Sequence, residues 1–315
     1  MKNIEAPKGM IVDLITPLSE NGDLDIKGLD AILNRLLPHC SAILLSGPNM
    51  GEGRALKEDI RRKLFERALT SVQEKIPLFF WITEKTTENV EALLASLEDT
   101  IHSFRYEGQI FWVDSPLYYH SNRDLVDYYG SLVSKTRYPF ILYNDPDLIK
   151  ILHESLKRNN IRTNIIKDLC KIDHIKALIF KGSLARVHNY QKSLSNVAGF
   201  RIYDGNEIRF LDHPSMNGVL SMGANLAPVL WNSVVRSSIG SLQDDDRVDS
   251  NINQMLKSGA LLRDLFKMYK KNPLWVMKNT LFDLKLISSP TCASAVERID
   301  EQQTLASFLL EHSIA

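Results

Sequence analysis

Residues 10–37 read MIVDLITPLSENGDLDIKGLDAILNRLL. The opening MIVDLI is an apolar run too short for a helix and rich in β-branched side chains, which reads as a strand buried on both faces. From Asp25 onward, Ile26, Leu29, Ile32, Leu33 and Leu36 fall on one helical face. The intervening TPLSENGDLD lacks the GxGxxG turn with which a doubly wound, dinucleotide-binding sheet leaves its first strand. The stretch is one strand–turn–helix unit. The fold depends on how often that unit recurs and what it closes into.

Short apolar runs return at 41–46 (SAILLS), 77–82 (PLFFWI), 108–114 (GQIFWVD), 139–144 (PFILYN), 175–180 (IKALIF), 199–204 (GFRIYD) and 217–222 (NGVLSM). Helical patterns occupy 57–74, 86–104 and 122–136; the second opens with a Thr N-cap and an acidic first turn. The first five strands begin about 30 residues apart, the length of a strand plus a crossover helix. Eight strands alternating with helices predict an α/β fold, the (β/α)8 TIM barrel, with the open doubly wound sheet as its rival. Beyond residue 225 the pattern is helical at 227–242, 246–271, 273–286 and 293–313, with Pro228 and Pro273 at expected helix starts. The expected organisation is a barrel over 1–225 and a C-terminal helical region over 226–315, serving packing or oligomerisation.

Composition narrows the function classes. The 315 residues are 44% hydrophobic and 24% charged, and 38 basic residues balance 38 acidic ones. No whole-chain field therefore favours nucleic acid or an acidic membrane as partner. Cys40, Cys170 and Cys292 are scattered without metal spacing or a disulfide framework, which points to a reducing, cytoplasmic compartment. The first ten residues carry no apolar signal segment, and no apolar stretch reaches the ~18 residues of a membrane span.

In a barrel, chemistry gathers at the carboxyl ends of the strands. There the sequence places SGPNMGEG (46–53), VDSPLYYH (113–120), LYNDP (142–146), FKG (180–182), YDGNE (203–207) and LSMGAN (220–225). A desolvated Lys181 amine at this mouth can attack a ketone or aldehyde and form a Schiff base; the plainer reading is a strand-end lysine reaching solvent. Tyr143, on the preceding strand, can carry protons for such a reaction or be a core tyrosine. Tyr118 and Tyr119 read as a half-buried aromatic pair. SGPNMGEG is either a backbone-amide nest for an anion or a flexible turn, and is not a Walker loop.

These segments in this order resemble the dihydrodipicolinate synthase / N-acetylneuraminate lyase family. LITPLSENGDLD resembles its TPF…DG.(V/I)D opening, SPLYYH its PPYY, ILYNDP its (I/L)YN.P, and IFKGSLARV its lysine segment KD(S/T). YDGNE…NGVLSMGANLAP and NPLWVMKNTLFDLKLI resemble its last two motifs, so the likeness runs from about residue 9 to 290. The resemblance implies a class I aldolase or lyase that binds pyruvate or a related 2-oxo acid as a lysine imine, without metal or organic cofactor, in a homodimer or homotetramer. Lys181 would form the imine and Tyr143 would be the acid/base beside it. Tyr119 would complete a proton relay across a subunit interface. The backbone at Asn49, Met50 and Gly51 would cradle the substrate carboxylate, and the Leu220 carbonyl would face the pyruvyl group. The sequence departs from the family at two points. GTTGE becomes GPNMGE (47–52), losing both threonines, and YN.P.RTG becomes YNDPDLIK, losing the arginine that would hold a second substrate. A different second substrate is therefore expected. The alternative is a catalytically impaired member that binds small molecules or protein partners.

Overall fold

The computed structural model describes residues 4–152, 158–214, 216–239, 248–296 and 305–314. Each expected apolar run forms a strand: β1 (Gly9–Asp13), β2 (Ala42–Leu45), β3 (Leu78–Trp81), β4 (Ile110–Asp114), β5 (Phe140–Asn144), β6 (Ile175–Phe180), β7 (Arg201–Asp204) and β8 (Gly218–Ser221). They pair in parallel in chain order, and β8 returns to β1 through the register Ile11 opposite Leu220, closing the barrel. Every strand is covered by helices outside and side chains inside, which is why the runs are apolar at consecutive positions.

The two-residue period sorts these side chains. Met10 and Val12 face the helices, whereas Ile11 joins Leu44, Trp81, Val113, Tyr143 and Ile179 in the barrel interior. Large interior rings fill the space; Trp81, Phe79 and Phe111 are fully buried, each contributing about 1.5–3 kcal/mol of apolar burial. Two residues beyond Ile11, Tyr143 and Ile179 stand Asp13, Asp145 and Lys181. The same alternation that builds the apolar core therefore delivers three charged groups to its upper end.

The crossover helices begin where local chemistry starts them. Helix α1 (Ile26–Leu36) is capped by Asp25, whose side chain accepts from the Gly28 amide at 2.9 Å. Helix α2 spans Glu58–Val72, and α3 (Thr87–Ser103) starts on Thr86, which accepts from the Asn89 amide at 3.3 Å. Helices α4 (Leu125–Leu132), α5 (Pro146–Lys150), α6 (Thr163–Leu169), α7 (Leu184–Leu194) and α8 (Glu207–Asp212) follow in order.

The C-terminal helices are α9 (Pro228–Ile239), α10 (Val248–Tyr269), α11 (Pro273–Asp283) and α12 (Leu305–Glu311). Helix α9 packs on β1, and α10 packs on α9. Buried Glu207 ties this region to the barrel by accepting from Ser221 Oγ at 2.6 Å, the Gly223 amide at 2.7 Å and the Tyr269 hydroxyl at 2.5 Å. The helix expected over 293–313 is shorter. Residues 293–296 are not helical, 297–304 lie outside the described residues, and helix resumes at Leu305. The cause is a competing partner: the Ala293 amide donates to Glu52 Oε1 at 2.6 Å, and the Thr291 carbonyl accepts from Lys278 at 2.7 Å. Among the described residues no helix is long and apolar enough to cross a membrane.

Candidate active site

Lys181 follows the last residue of β6, and its backbone amide donates to the Asn144 carbonyl at 3.0 Å. Its side chain runs against Gly205, where a Cβ would lie 2.2 Å from Lys181 Cγ, so only glycine lets β7 pass this close. The Nζ atom lies 3.1 Å from Asp145 Oδ2, with the lysine side chain 23% exposed and the aspartate side chain 7%. The amine thus stands at a boundary between the packed interior and the open mouth. The other Asp145 oxygen caps α5, accepting from the amides of Asp147 at 3.0 Å and Leu148 at 3.3 Å. Both Asp145 oxygens are thus engaged, one by the amine and one by the helix start.

Tyr143 lies beneath this pair, buried, with its ring edge-to-face against Trp81 at 5.1 Å. Its hydroxyl oxygen accepts from Asn49 Nδ2 at 3.2 Å, which leaves the O–H proton free to donate. Burial pushes this phenol well above its usual range, and the Asp145 and Asp13 carboxylates push it further. Asn49 reaches Tyr143 because the loop after β2 folds back tightly. Ser46 adopts φ 56°, and Gly51 sits where a Cβ would meet the Gly47 nitrogen at 2.2 Å. Thr16 Oγ1 anchors the loop by donating to the Gly51 carbonyl at 2.9 Å.

The expected site residues therefore separate. Lys181, Tyr143 and Asn49 converge. Met50 turns its side chain into the outer core, leaving its backbone toward the mouth, where the amide faces Asp13. Leu220 lies buried on the inner face of β8. The Tyr119 hydroxyl donates to Asp114 Oδ2 at 2.6 Å and lies 3.2 Å from the Tyr128 hydroxyl. Asp114 is fully buried, and burial raises its carboxyl; it also accepts from Tyr129 and Thr83, each at 2.7 Å. Among the described residues no hydrogen bond joins Tyr119 to Tyr143. Leu148, buried, stands where the resembling motif carries arginine.

Two site groups escaped the sequence reading. Asp145 is one. Asp13 is the other: fully buried at the inward end of β1, with neither carboxylate oxygen hydrogen-bonded to protein. Gly47 makes room for it, since a Cβ there would lie 2.4 Å from Asp13 Oδ1. Burial pushes this carboxyl up to about 7; Lys181, the Met50 amide and Asn49 pull it down, and Glu207 adds to the rise. The available signal was a single carboxylate closing an apolar run, MIVD in one case and YND in the other. Other buried polar atoms without a protein partner include Trp81 Nε1, Ser46 Oγ and Ser115 Oγ, the last two just past the carboxyl ends of β2 and β4. Such groups are rare in a finished interior and common where a ligand completes the site. No cluster of three or more His, Cys, Asp or Glu side chains able to hold a metal gathers among the described residues.

The model of the dihydrodipicolinate synthetase family matches residues 6–307. The 4-hydroxy-tetrahydrodipicolinate synthase of Dichelobacter nodosus is 23% identical over 273 residues, covering 85% of this chain and 84% of its own. That of Psychromonas ingrahamii is 23% identical over 307 residues, covering 93% and 94%. The solved dihydrodipicolinate synthase of Bacteroides thetaiotaomicron superposes with a TM-score of 0.79 over 98% of this chain and 99% of its own; at 17% identity the likeness is one of fold.

Proposed function

The chain belongs to the dihydrodipicolinate synthetase family, and from that premise we propose that it is a Schiff-base-forming class I aldolase or lyase acting on pyruvate or a related 2-oxo acid. One observation carries the reading: the Lys181 amine stands at the barrel mouth above a buried tyrosine hydroxyl, anchored by Asp145 at 3.1 Å.

In this reading Lys181 Nζ attacks the C2 carbonyl, water leaves, and the resulting iminium withdraws electrons from C3. A carbon–carbon bond, or a carbon–oxygen bond at that carbon, then forms or breaks. Tyr143 lies within the reaction space, its oxygen oriented by Asn49. The backbone of Asn49, Met50 and Gly51 holds the substrate carboxylate, as an amide nest does for an anion. The Leu220 carbonyl faces the bound pyruvyl group. No metal or organic cofactor takes part, because the iminium itself is the electron sink.

The second substrate differs from that of the synthases. Leu148 puts an apolar side chain where a cation would bind a carboxylate, which favours a partner aldehyde without an anionic group at that point. We further read the protein as a cytoplasmic homo-oligomer, a dimer or tetramer. Among the described residues the Tyr119 hydroxyl bonds Asp114 and Tyr128 and not Tyr143 of the same chain, so a relay from it to a Tyr143 hydroxyl runs to a second copy.

The test is borohydride reduction in the presence of pyruvate, followed by intact mass and peptide mapping. A stable adduct on Lys181 is the expected result. No adduct across a panel of 2-oxo acids would overturn the reading.

A further inference from the structure

Two carboxylates stand with Lys181 at the inner mouth of the barrel, Asp145 in contact with it and Asp13 within electrostatic reach, and their bonding differs. Asp145 is saturated: one oxygen holds the ammonium and the other caps α5. Asp13 has neither oxygen hydrogen-bonded, though it is fully buried and lies within electrostatic reach of the same amine. It cannot be explained as a structural group. Its backbone does the structural work, since the Asp13 carbonyl accepts from Asn225 Nδ2 at 2.8 Å while the carboxylate is left unbonded on the inner face. An unpaired buried carboxylate costs stability, and such groups concentrate where a fold trades stability for chemistry.

Tyr143 is a poor candidate for the whole proton-carrying task. Its phenol is buried between two carboxylates that oppose its ionisation. The threonine hydroxyls that would extend a relay from it are absent from GPNMGE.

We propose that Asp13 is a catalytic residue of this site, the carboxylate that takes a proton from Lys181 and returns it to the departing oxygen. The proposal rests on the reading that Lys181 forms an imine. The balance is as follows. The Lys181 ammonium gives one proton, through a bridging water, to the Asp13 carboxylate and becomes a neutral amine. The nitrogen lone pair forms a bond to the carbonyl carbon, and the C–O π pair moves to oxygen. A second proton passes from nitrogen to that oxygen, giving the neutral carbinolamine. Asp13 then protonates the hydroxyl, the C–O bond breaks, water leaves, and the nitrogen lone pair closes the iminium. Nitrogen loses two protons, water gains two, and Asp13 ends as it began. A carboxyl that burial pushes up to about 7 is suited to both halves of this exchange at neutral pH. The groups within electrostatic or hydrogen-bonding reach of it are Lys181 just past β6, Tyr143 on β5, Glu207 on α8, and the Asn49 and Met50 amides of the loop after β2.

The experiment is cyanoborohydride trapping at Lys181, timed by peptide mass, between about pH 5 and about pH 9. Pyruvate and acetaldehyde serve as separate probes, with the natural chain, Asp13→Asn and Asp13→Glu. Asp13→Asn should slow trapping by about 100-fold with both probes and remove the inflection near neutrality, while Asp13→Glu keeps part of each. Equal rates and profiles for the natural chain and Asp13→Asn would overturn the proposal. So would the absence of any Lys181 adduct with either probe. Trapping of acetaldehyde but not of 2-oxo acids, with the Asp13 dependence intact, would support the role of Asp13 and overturn the 2-oxo-acid reading alone.

Discussion

Asp145 holds Lys181 with one carboxylate oxygen and the first turn of α5 with the other, at 3.1 Å to Nζ and 3.0 Å to the Asp147 amide. The helix start and the amine are positioned by one side chain. Asp145→Ala should therefore do two things together. Trapping at Lys181 slows by about tenfold or more, because a misplaced nucleophile loses its line of attack. Stability falls by about 1 kcal/mol through the lost cap. Trapping kinetics and a melting curve on one preparation check both.

Tyr143→Phe keeps the ring against Trp81 and fills the same volume, so the fold should survive with a loss of about 1–2 kcal/mol for the unpaired Asn49 amide. Imine turnover should fall by at least about tenfold. An unchanged turnover rate would remove the phenol from the chemistry.

Glu52 and Lys278 form a fully buried ion pair that joins the loop after β2 to α11. Removing one partner leaves an uncompensated charge in the interior. Lys278→Met should cost about 3–5 kcal/mol, and the double change Glu52→Gln with Lys278→Met should recover part of that loss. Thermal unfolding of the natural chain and the two variants measures it; equal melting temperatures for Lys278→Met and the natural chain would contradict the structural role.

Asp13 also sets a pH dependence of stability. Its carboxyl rises from an ordinary 3.8 to about 7 on folding, chiefly through burial. Between those values the folded chain binds more protons than the unfolded one, so this group lowers stability as pH rises. The penalty is absent below the unfolded value and complete above about 7. Asp13→Asn should match the natural chain near pH 4 and exceed its stability above about pH 8 by up to about 4 kcal/mol. Chemical unfolding at the two pH values tests the slope. An advantage of Asp13→Asn over the natural chain that is no larger at high pH than at low pH would show that the buried carboxylate has another partner.

The lysine was visible in the sequence because a charge that ends an apolar strand is a local anomaly. The same kind of anomaly stood at Asp13 and passed unread, since one aspartate in a strand is also consistent with a solvated strand end. The shortened last helix was hidden for a different reason. Residues 293–313 have helical composition, but the Ala293 amide finds Glu52 from 241 residues away.

By itself the sequence determined the eight strands, the helices that follow the first four of them, and the strand end that carries Lys181. Those features follow from side-chain period and apolar run length, which act between near neighbours. Only the tertiary structure decided which polar groups meet. Asn49 finds Tyr143 across 94 residues, and Asp13 at the end of β1 comes within electrostatic reach of Lys181, just past β6, because the sheet closes. Burial then decided their character: the same closure that brings the carboxylate to the amine also takes it out of water, leaving it without a hydrogen-bond partner in the protein.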